Sequence, residues 1–186
     1  MNIRLFGSEF YFARHGQTHY NAQGLVTGTL DIPLDEVGVM QAKEMAAHIS
    51  GLSFVSCICS PMDRAQTTAE LLLAGRSEIV PVAVAGLEER CWGALEGVSK
   101  HDLDNYDFPA NGVEMWGQFA SRTIETLAGV SAEIALPVFI VAHSGTFRAI
   151  CEYLDIKEDI RPVKNACPYH FYLSGSTWHV QDCSLR

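Results

Sequence analysis

Positive charge is scarce in this chain. Thirteen Lys and Arg stand against 22 Asp and Glu, for a formal net charge of −9. A surface of that sign repels nucleic acid and anionic membranes, so neither is an expected partner. An anionic small molecule would have to be met by cations gathered locally. Long hydrophobic runs are missing as well. No stretch approaches the roughly 18 apolar residues of a membrane span. The opening segment, Met1 to Phe12, carries Arg4 in an interrupted apolar run and does not read as a secretory signal. The six cysteines, at 57, 59, 91, 151, 167 and 183, lack paired metal-type spacing. Reduced, buried thiols in a cytoplasmic protein are the expectation, with a zinc site from scattered Cys and His as the weaker alternative. Low-complexity segments are absent too. With 186 residues, 48% of them hydrophobic and 19% charged, the chain reads as one globular domain over 1–186 with a sizeable core.

What is present starts at Phe10-Tyr11-Phe12-Ala13-Arg14-His15-Gly16-Gln17-Thr18. An aromatic-rich apolar run stops abruptly on Arg-His-Gly, which predicts a buried strand presenting two side chains into a loop. Arg is a permanent cation with a planar fork of donors. His can be a neutral nucleophile or base near pH 7. Side by side they suit a phosphoryl group, Arg holding its oxygens and His attacking phosphorus. Three letters alone prove little; matching residues at other strand ends give them weight.

The loop from His19 to Leu34, with Asn21, Gly24, Thr27 and Gly28, is too long for a mere connector. Asp35 to Ser50 carries Val39, Ala42, Met45, Ala46 and Ile49 on one helical face, and Gly51 ends it. Phe54 to Cys59 predicts a second strand, broken by Ser60-Pro61 before a helix over Met62 to Leu73. Ile79 to Val84 predicts a third strand. The loop Gly86 to Gly97 is crowded with Glu88, Glu89, Arg90 and Glu96. A weak helical signal covers Val98 to Tyr106, and Asp107 to Gly112 is loop-like. Val113 to Ile134 predicts a long amphipathic helix, with Trp116 and Phe119 as core residues and Met115 grouped with them. Pro137 to Ala142 predicts a central strand ending on His143-Ser144-Gly145, followed by a helix over Thr146 to Leu154. Two strands with a Ser174-Gly175-Ser176 turn close the chain between Tyr169 and Asp182.

Strands alternating with helices predict a three-layer α/β/α fold with a mostly parallel sheet. Ligands in such sheets sit outside the carboxyl ends of the strands. Two strands end on His there, at His15 and His143. Ser60-Pro61-Met62-Asp63-Arg64 and Leu87-Glu88-Glu89 sit at two more strand ends.

On these residues the chain resembles the histidine phosphatase superfamily, the group that includes cofactor-dependent phosphoglycerate mutase. The resemblance rests on Arg14-His15-Gly16-Gln17-Thr18 with Asn21, Thr27-Gly28, Ser60-Pro61 with Arg64 and Thr67-Thr68-Ala69, Leu87-x-Glu89-x-x-x-Gly93 with Glu96-Gly97, and Val141-Ala142-His143-Ser144-Gly145. It spans Arg14 to Gly145, and the family order of the motifs makes it specific. It implies a phosphoglycerate mutase-like fold, with His15 as nucleophile, Arg14, Arg64 and His143 on the phosphoryl oxygens, and Glu89 as general acid and then base. Glu88 competes for the last role. Asn21, Thr27, Gly28, Ser144 and Gly145 are the implied substrate-binding set. No metal or other cofactor is expected, since two Arg and His143 supply the positive charge that Mg²⁺ would otherwise give.

Family mutases carry a long insertion between acid and second His, with paired Arg for a substrate carboxylate. Here residues 90 to 142 separate the two, and beyond Arg90, which adjoins the acid, Arg122 stands alone. The stretch after His143 is short and strand-like. A phosphomonoester phosphatase is therefore favoured over a mutase or a weakly active phosphoryl-binding protein. Glu96-Gly97-Val98-Ser99-Lys100 pulls toward the mutase, whose Lys helps hold substrate, although an exposed helix residue is the plainer reading of Lys100. His19, Tyr20, Trp92, Tyr106, Phe108 and Glu114 are candidates for the leaving-group side. His48, His170 and His179 are taken as structural or surface residues. Sugar phosphates, phosphoglycerates, nucleotide-like monophosphates and phosphoproteins all remain open as substrates, and the sequence is silent on oligomeric state.

Overall fold

In a computed structural model, which describes residues 3–184, six strands form one mixed sheet. They are β1 (Phe10–Arg14), β2 (Ser56–Cys59), β3 (Val82–Ala83), β4 (Val138–Ala142), β5 (Pro168–Ser174) and β6 (Thr177–Asp182). The order is β3-β2-β4-β1-β5-β6. The first four in that order pair in parallel, and β5 and β6 add antiparallel. The helices are α1 (His19–Ala22), α2 (Glu36–Ile49), α3 (Asp63–Leu72), α4 (Trp116–Val130) and α5 (Ser144–Tyr153), with short 3-10 turns between them.

Alternation along the strands splits the core in two. Phe10, Phe12, Ile58, Ile140 and Ala142 face Leu127 of α4 and Phe147 and Ile150 of α5. Tyr11, Ala13, Cys57, Cys59, Phe139 and Val141 face Ala42 and Ile49 of α2 and Ala69 and Leu72 of α3. β4 is buried along its whole length, as a central strand covered on both faces must be. Cys57 and Cys59 share one face and act as small apolar side chains. Burial raises their thiol pKa values, that of Cys59 to about 11.

Several elements are shorter than the sequence suggests. The third strand is confined to Val82–Ala83, because Pro81 has no N–H to donate and sits at the sheet edge, beside an exposed Val80. The helix expected over Val113 to Ile134 runs from Trp116 to Val130, and Met115 is exposed rather than core. Around 98–106 the chain forms a 3-10 helix, Lys100–Asn105, and the loop after His19 opens with the one-turn α1. The helix over 35–50 keeps its place, with the Asp35 side chain accepting from Gly38 N at 2.8 Å as its N-cap.

Register sets where the side chains at the strand ends emerge. Arg14 pairs with Ala142, and Cys59 with Val141. The carboxyl ends of β1, β4 and β2 therefore finish level, and His15, His143 and Ser60 emerge together.

Candidate active site

His15 follows the last residue of β1. Its backbone N donates to Ala142 O at 2.9 Å, and its carbonyl accepts from Asn165 Nδ2 at 2.8 Å, so the backbone is held on both sides. The loop then turns under α2 at Gly16. A methyl there would lie 2.6 Å from Gly38 O, so only glycine fits. Gly16 N donates to Thr68 Oγ1 at 2.9 Å, which ties the loop to α3.

The His15 ring is almost fully buried, with Nδ1 2.7 Å from Gly16 O. A carbonyl can only accept, so Nδ1 carries the proton and the neutral ring keeps its lone pair on Nε2. Burial, followed by the Arg14 and Arg64 cations, depresses the His15 pKa well below its ordinary 6.5. His143 lies beside it, ring centroids 5.3 Å apart. Burial depresses its pKa as well, with Arg64, His15 and Arg14 adding to the effect. His143 Nε2 sits 2.7 Å from Ser60 Oγ, and its buried Nδ1 has no partner.

Two guanidinium groups flank the imidazoles. Arg14 anchors one amine on Val163 O at 3.0 Å. Arg64, fully buried, donates to Leu30 O at 2.7 Å and Gly28 O at 2.8 Å. The Nε of each is buried and unpartnered, so both have donors to spare. Burial lowers both pKa values, and the groups remain cations.

Glu89 comes from the loop after β3, whose neighbour Leu87 is buried in the core. Its Oε1 accepts from Arg90 N at 2.9 Å, and its Oε2 from Gly145 N at 3.2 Å. Ser144 Oγ stands 3.4 Å from the same Oε2. Glu88, in contrast, folds back to accept from Gly86 N at 2.7 Å.

A cavity of about 80 Å³ gathers these groups. Arg14, His15, Asn21, Thr27, Gly28, Arg64, Glu89 and Ser144 line it, with Val26, Trp92 and Lys100. His143 stands behind, against His15. Asn21 is oriented by its capping role: Oδ1 accepts from Thr18 N at 3.2 Å, which leaves its amide donors for the cavity. Thr27 brings a buried hydroxyl without a partner. The arrangement can receive a small dianion at one end, present a neutral imidazole nitrogen to it, and offer a carboxyl group from the side. Among the described residues, no three His, Cys, Asp or Glu gather so that they could hold a metal ion. Cys57, Cys59, Cys91, Cys151 and Cys167 are free thiols.

The sequence pattern of the histidine phosphatase superfamily, branch 1, matches residues 10–184. The chain belongs to the histidine phosphatase superfamily.

Its relatives include both phosphatases and phosphoglycerate mutases. An adenosylcobalamin/alpha-ribazole phosphatase of Escherichia coli (strain K12) is 30% identical over 191 residues, covering 95% of this chain and 90% of that protein. A 2,3-bisphosphoglycerate-dependent phosphoglycerate mutase of Methylobacterium sp. (strain 4-46) is 30% identical over 167 residues, covering 77% of this chain and 78% of that one. In fold, the chain is similar to a mycobacterial glucosyl-3-phosphoglycerate phosphatase in complex with VO3. The TM-score is 0.76 at 24% identity, over 94% of this chain and 98% of the other.

Some side chains stand elsewhere than the sequence suggests. Gly145 does not line the cavity, and its amide N is engaged by Glu89 rather than left for a ligand. Of the six leaving-group candidates, Trp92 alone reaches the cavity wall. Glu114 is bound to Arg122, Phe108 packs edge-on against Trp92, and Tyr106 and His19 face solvent. Lys100 is exposed over the residue as a whole, yet it lines the cavity. Burial and then Arg14 lower its pKa there. Glu96 is no plain surface charge: its Oε1 accepts from Thr29 N at 2.7 Å and Trp92 N at 3.2 Å, tying two cavity loops together. Ser60, against His143, and Arg122, on the Glu89 carbonyl, contact the candidate site from behind, and the sequence assigned neither a role there. The Ser60-Pro61 motif was the only local signal for either.

Proposed function

We propose that this protein is a phosphomonoester phosphatase that works through a phosphohistidine at His15, without a metal, on a small phosphorylated metabolite. The observation that carries the reading is the buried, neutral His15, with Nδ1 fixed on Gly16 O and Nε2 left as nucleophile, inside a ring of two arginines and a carboxyl group. In the first step Nε2 attacks phosphorus and the ester P–O bond breaks. Arg14 and Arg64 hold the equatorial oxygens as charge spreads over them. Protonated Glu89 gives its proton to the departing alkoxide. In the second step the Glu89 carboxylate takes a proton from water. The water oxygen bonds to phosphorus, and the P–N bond breaks. Imidazole and inorganic phosphate are the products, with His15 returned to its starting state.

Ser60 has a part in this scheme. If its hydroxyl donates to His143 Nε2, the single proton of the neutral ring lies on Nδ1, as a donor to the phosphoryl group. Met62 N approaching Ser60 Oγ at 3.4 Å favours that orientation, since the oxygen already serves as an acceptor. Arg122 favours hydrolysis over a mutase: its donors are committed inside the protein, so no pair of arginines is left to hold a substrate carboxylate. Lys100 at the cavity wall favours the second reading, phosphoglycerate mutase-type transfer. The free thiols of Cys57, Cys59, Cys91, Cys151 and Cys167 accord with a cytoplasmic setting.

The test is single-turnover phosphate release from an aryl phosphate with EDTA present, comparing wild type with His15→Ala, and vanadate inhibition alongside. EDTA-resistant, vanadate-sensitive release that vanishes in the variant supports the reading. Equal release by both proteins overturns His15 as nucleophile. Phosphoglycerate isomerisation without net release would move the assignment to the mutase.

A further inference from the structure

Arg122 makes more hydrogen bonds than either arginine of the cavity. It lies in the second turn of α4, away from the cavity wall, and its guanidinium stacks over Phe119 at 4.8 Å. Its Nε donates to Glu114 Oε1 at 2.6 Å, and one amine to Glu114 Oε2 at 3.0 Å, the bidentate arrangement of a strong ion pair. That same amine reaches Glu89 O at 3.2 Å. The other amine donates to Gly86 O at 2.8 Å and Glu88 O at 3.1 Å. A guanidinium has five N–H groups, and here all five are used.

The targets fall on both sides of one residue. Gly86, Glu88 and Glu89 supply carbonyls. Downstream, Glu114 Oε2 accepts from Cys91 N at 3.1 Å, and Glu114 O accepts from Arg90 Nε at 2.6 Å. The loop from 86 to 91 is thereby held from within by α4 and the residue before its cap, with Glu89 in the middle. Phe119, under the guanidinium, also borders Gly145, whose amide holds the Glu89 carboxylate. Backbone and carboxylate of Glu89 are fixed from the same side.

We infer that the Arg122–Glu114 pair is the positioning device for Glu89: it holds the loop so that the carboxyl group stands where a leaving group departs from His15-bound phosphorus. Neither residue touches the cavity, so the role is positioning and not catalysis. The inference rests on the reading of Glu89 as the general acid. A loop of six residues with a charged side chain aimed into a small cavity has no internal ladder of its own to set that aim. A guanidinium fork fixes three carbonyl directions at once. A lysine keeps the charge but concentrates its donors on one atom and cannot reproduce the fork.

The experiment measures kcat/KM, which reports events up to phosphohistidine formation, on phosphate monoesters graded from nitrophenyl to alkyl leaving groups. Wild type, Glu89→Gln, Arg122→Lys and the double variant are compared. A nitrophenolate leaves without help, and an alkoxide needs the proton. Glu89→Gln should therefore lose roughly 10²- to 10⁴-fold on the alkyl ester and far less on the nitrophenyl ester. Arg122→Lys should show the same graded profile at lower amplitude, about 10- to 100-fold on the alkyl ester, as expected for an acid displaced by about 1 Å. The double variant should be no worse than Glu89→Gln alone, because a misplaced acid that is absent costs nothing more. A steep Glu89→Gln profile beside a uniform loss in Arg122→Lys, or an additive double variant, overturns the inference alone. A flat Glu89→Gln profile overturns the acid reading and the inference with it. Should Arg122→Lys fail to fold, Glu114→Gln carries the same test. It keeps the shape and sets an amide against the guanidinium or against Cys91 N–H. Unfolding of both variants marks the pair as a stabilising bridge only, and overturns the inference.

Discussion

Gly145→Ala separates chemistry from stability at a single atom. Gly145 lies in the first turn of α5 with no left-handed backbone, so alanine suits its conformation. A methyl group there would lie 2.2 Å from Glu89 Oε1, 2.9 Å from Phe119 Cζ and 3.0 Å from Phe119 Cε1. Ordinary contact begins at 3.4 Å, so the carboxyl oxygen must move by about 1.2 Å. It can do so at low cost to the fold, because it is the far end of a flexible side chain. The helix gains up to about 1 kcal/mol from replacing glycine, and crowding of the Phe119 ring costs about 1–3 kcal/mol. Net stability should therefore fall by no more than about 3 kcal/mol. Activity should suffer as well. A misplacement near 1 Å costs roughly 100-fold, or about 2.7 kcal/mol of transition-state stabilisation. The assay pairs a urea melt with kcat/KM on an alkyl phosphate and a nitrophenyl phosphate. The expected result is a folded protein with a loss concentrated on the alkyl ester. A folded variant with full activity on both esters refutes the placement of Glu89 as acid. Equal losses on both esters refute the argument that the methyl acts through the carboxyl group.

Other perturbations discriminate differently. Gly16→Ala puts a methyl 2.6 Å from Gly38 O, a backbone atom that cannot swing aside, and should destabilise the fold by more than about 2 kcal/mol in the same melt. In the ligand-free protein His15 and His143 both titrate well below 6.5. Well above pH 6.5 both rings are neutral folded or unfolded and contribute no pH dependence. Below it the unfolded chain takes up protons that the folded chain refuses, so stability falls with pH, by about 1 kcal/mol per histidine between pH 6.5 and 5.5. Urea melts across that range check this, and His15→Ala should flatten the slope. Ser60→Ala should free the His143 proton to move between ring nitrogens. Nitrogen chemical shifts of the His143 ring would show the change, together with about a tenfold weaker binding of vanadate.

Much of the candidate site was legible because it lies at strand ends. An apolar run that stops on Arg14-His15 and another that stops on His143 declare both the strand and the side of the sheet where its chemistry stands. Residue spacing could not show that Arg14 pairs with Ala142 and Cys59 with Val141, which is what brings Ser60 Oγ to His143 Nε2. The Arg122 contacts were illegible for a similar reason. They join residues more than 30 positions apart and end on carbonyls, which every residue possesses and no sequence pattern marks. Glu114 reads from the sequence as a candidate for the leaving-group side, yet its partner stands eight positions on, at Arg122. Lys100 shows the opposite failure. Its local pattern suits a solvated 3-10 turn, and only the fold of the 93–100 segment against Val26 and Gly24 carries it to the cavity wall.

Under the proposed phosphohistidine mechanism, the electrostatics of the site favour one order of events. Before a dianion binds, burial and the two arginines make a positive charge on His15 costly, so the ring stays neutral. The arginines keep unpartnered donors in a protein of net charge −9, so their local field is what draws a dianion in. Once a phosphoryl dianion lies between them, their charge is offset, and the main electrostatic objection to a cationic imidazole disappears with it. A ring phosphorylated on Nε2 and still protonated on Nδ1 carries that positive charge, and Gly16 O accepts its proton throughout. Release of phosphate restores the uncompensated arginines and the neutral ring together. The same two cations therefore protect the nucleophile before substrate arrives and permit the charged intermediate after it, so replacing either arginine with a neutral residue should raise the His15 pKa and weaken dianion binding in the same variant.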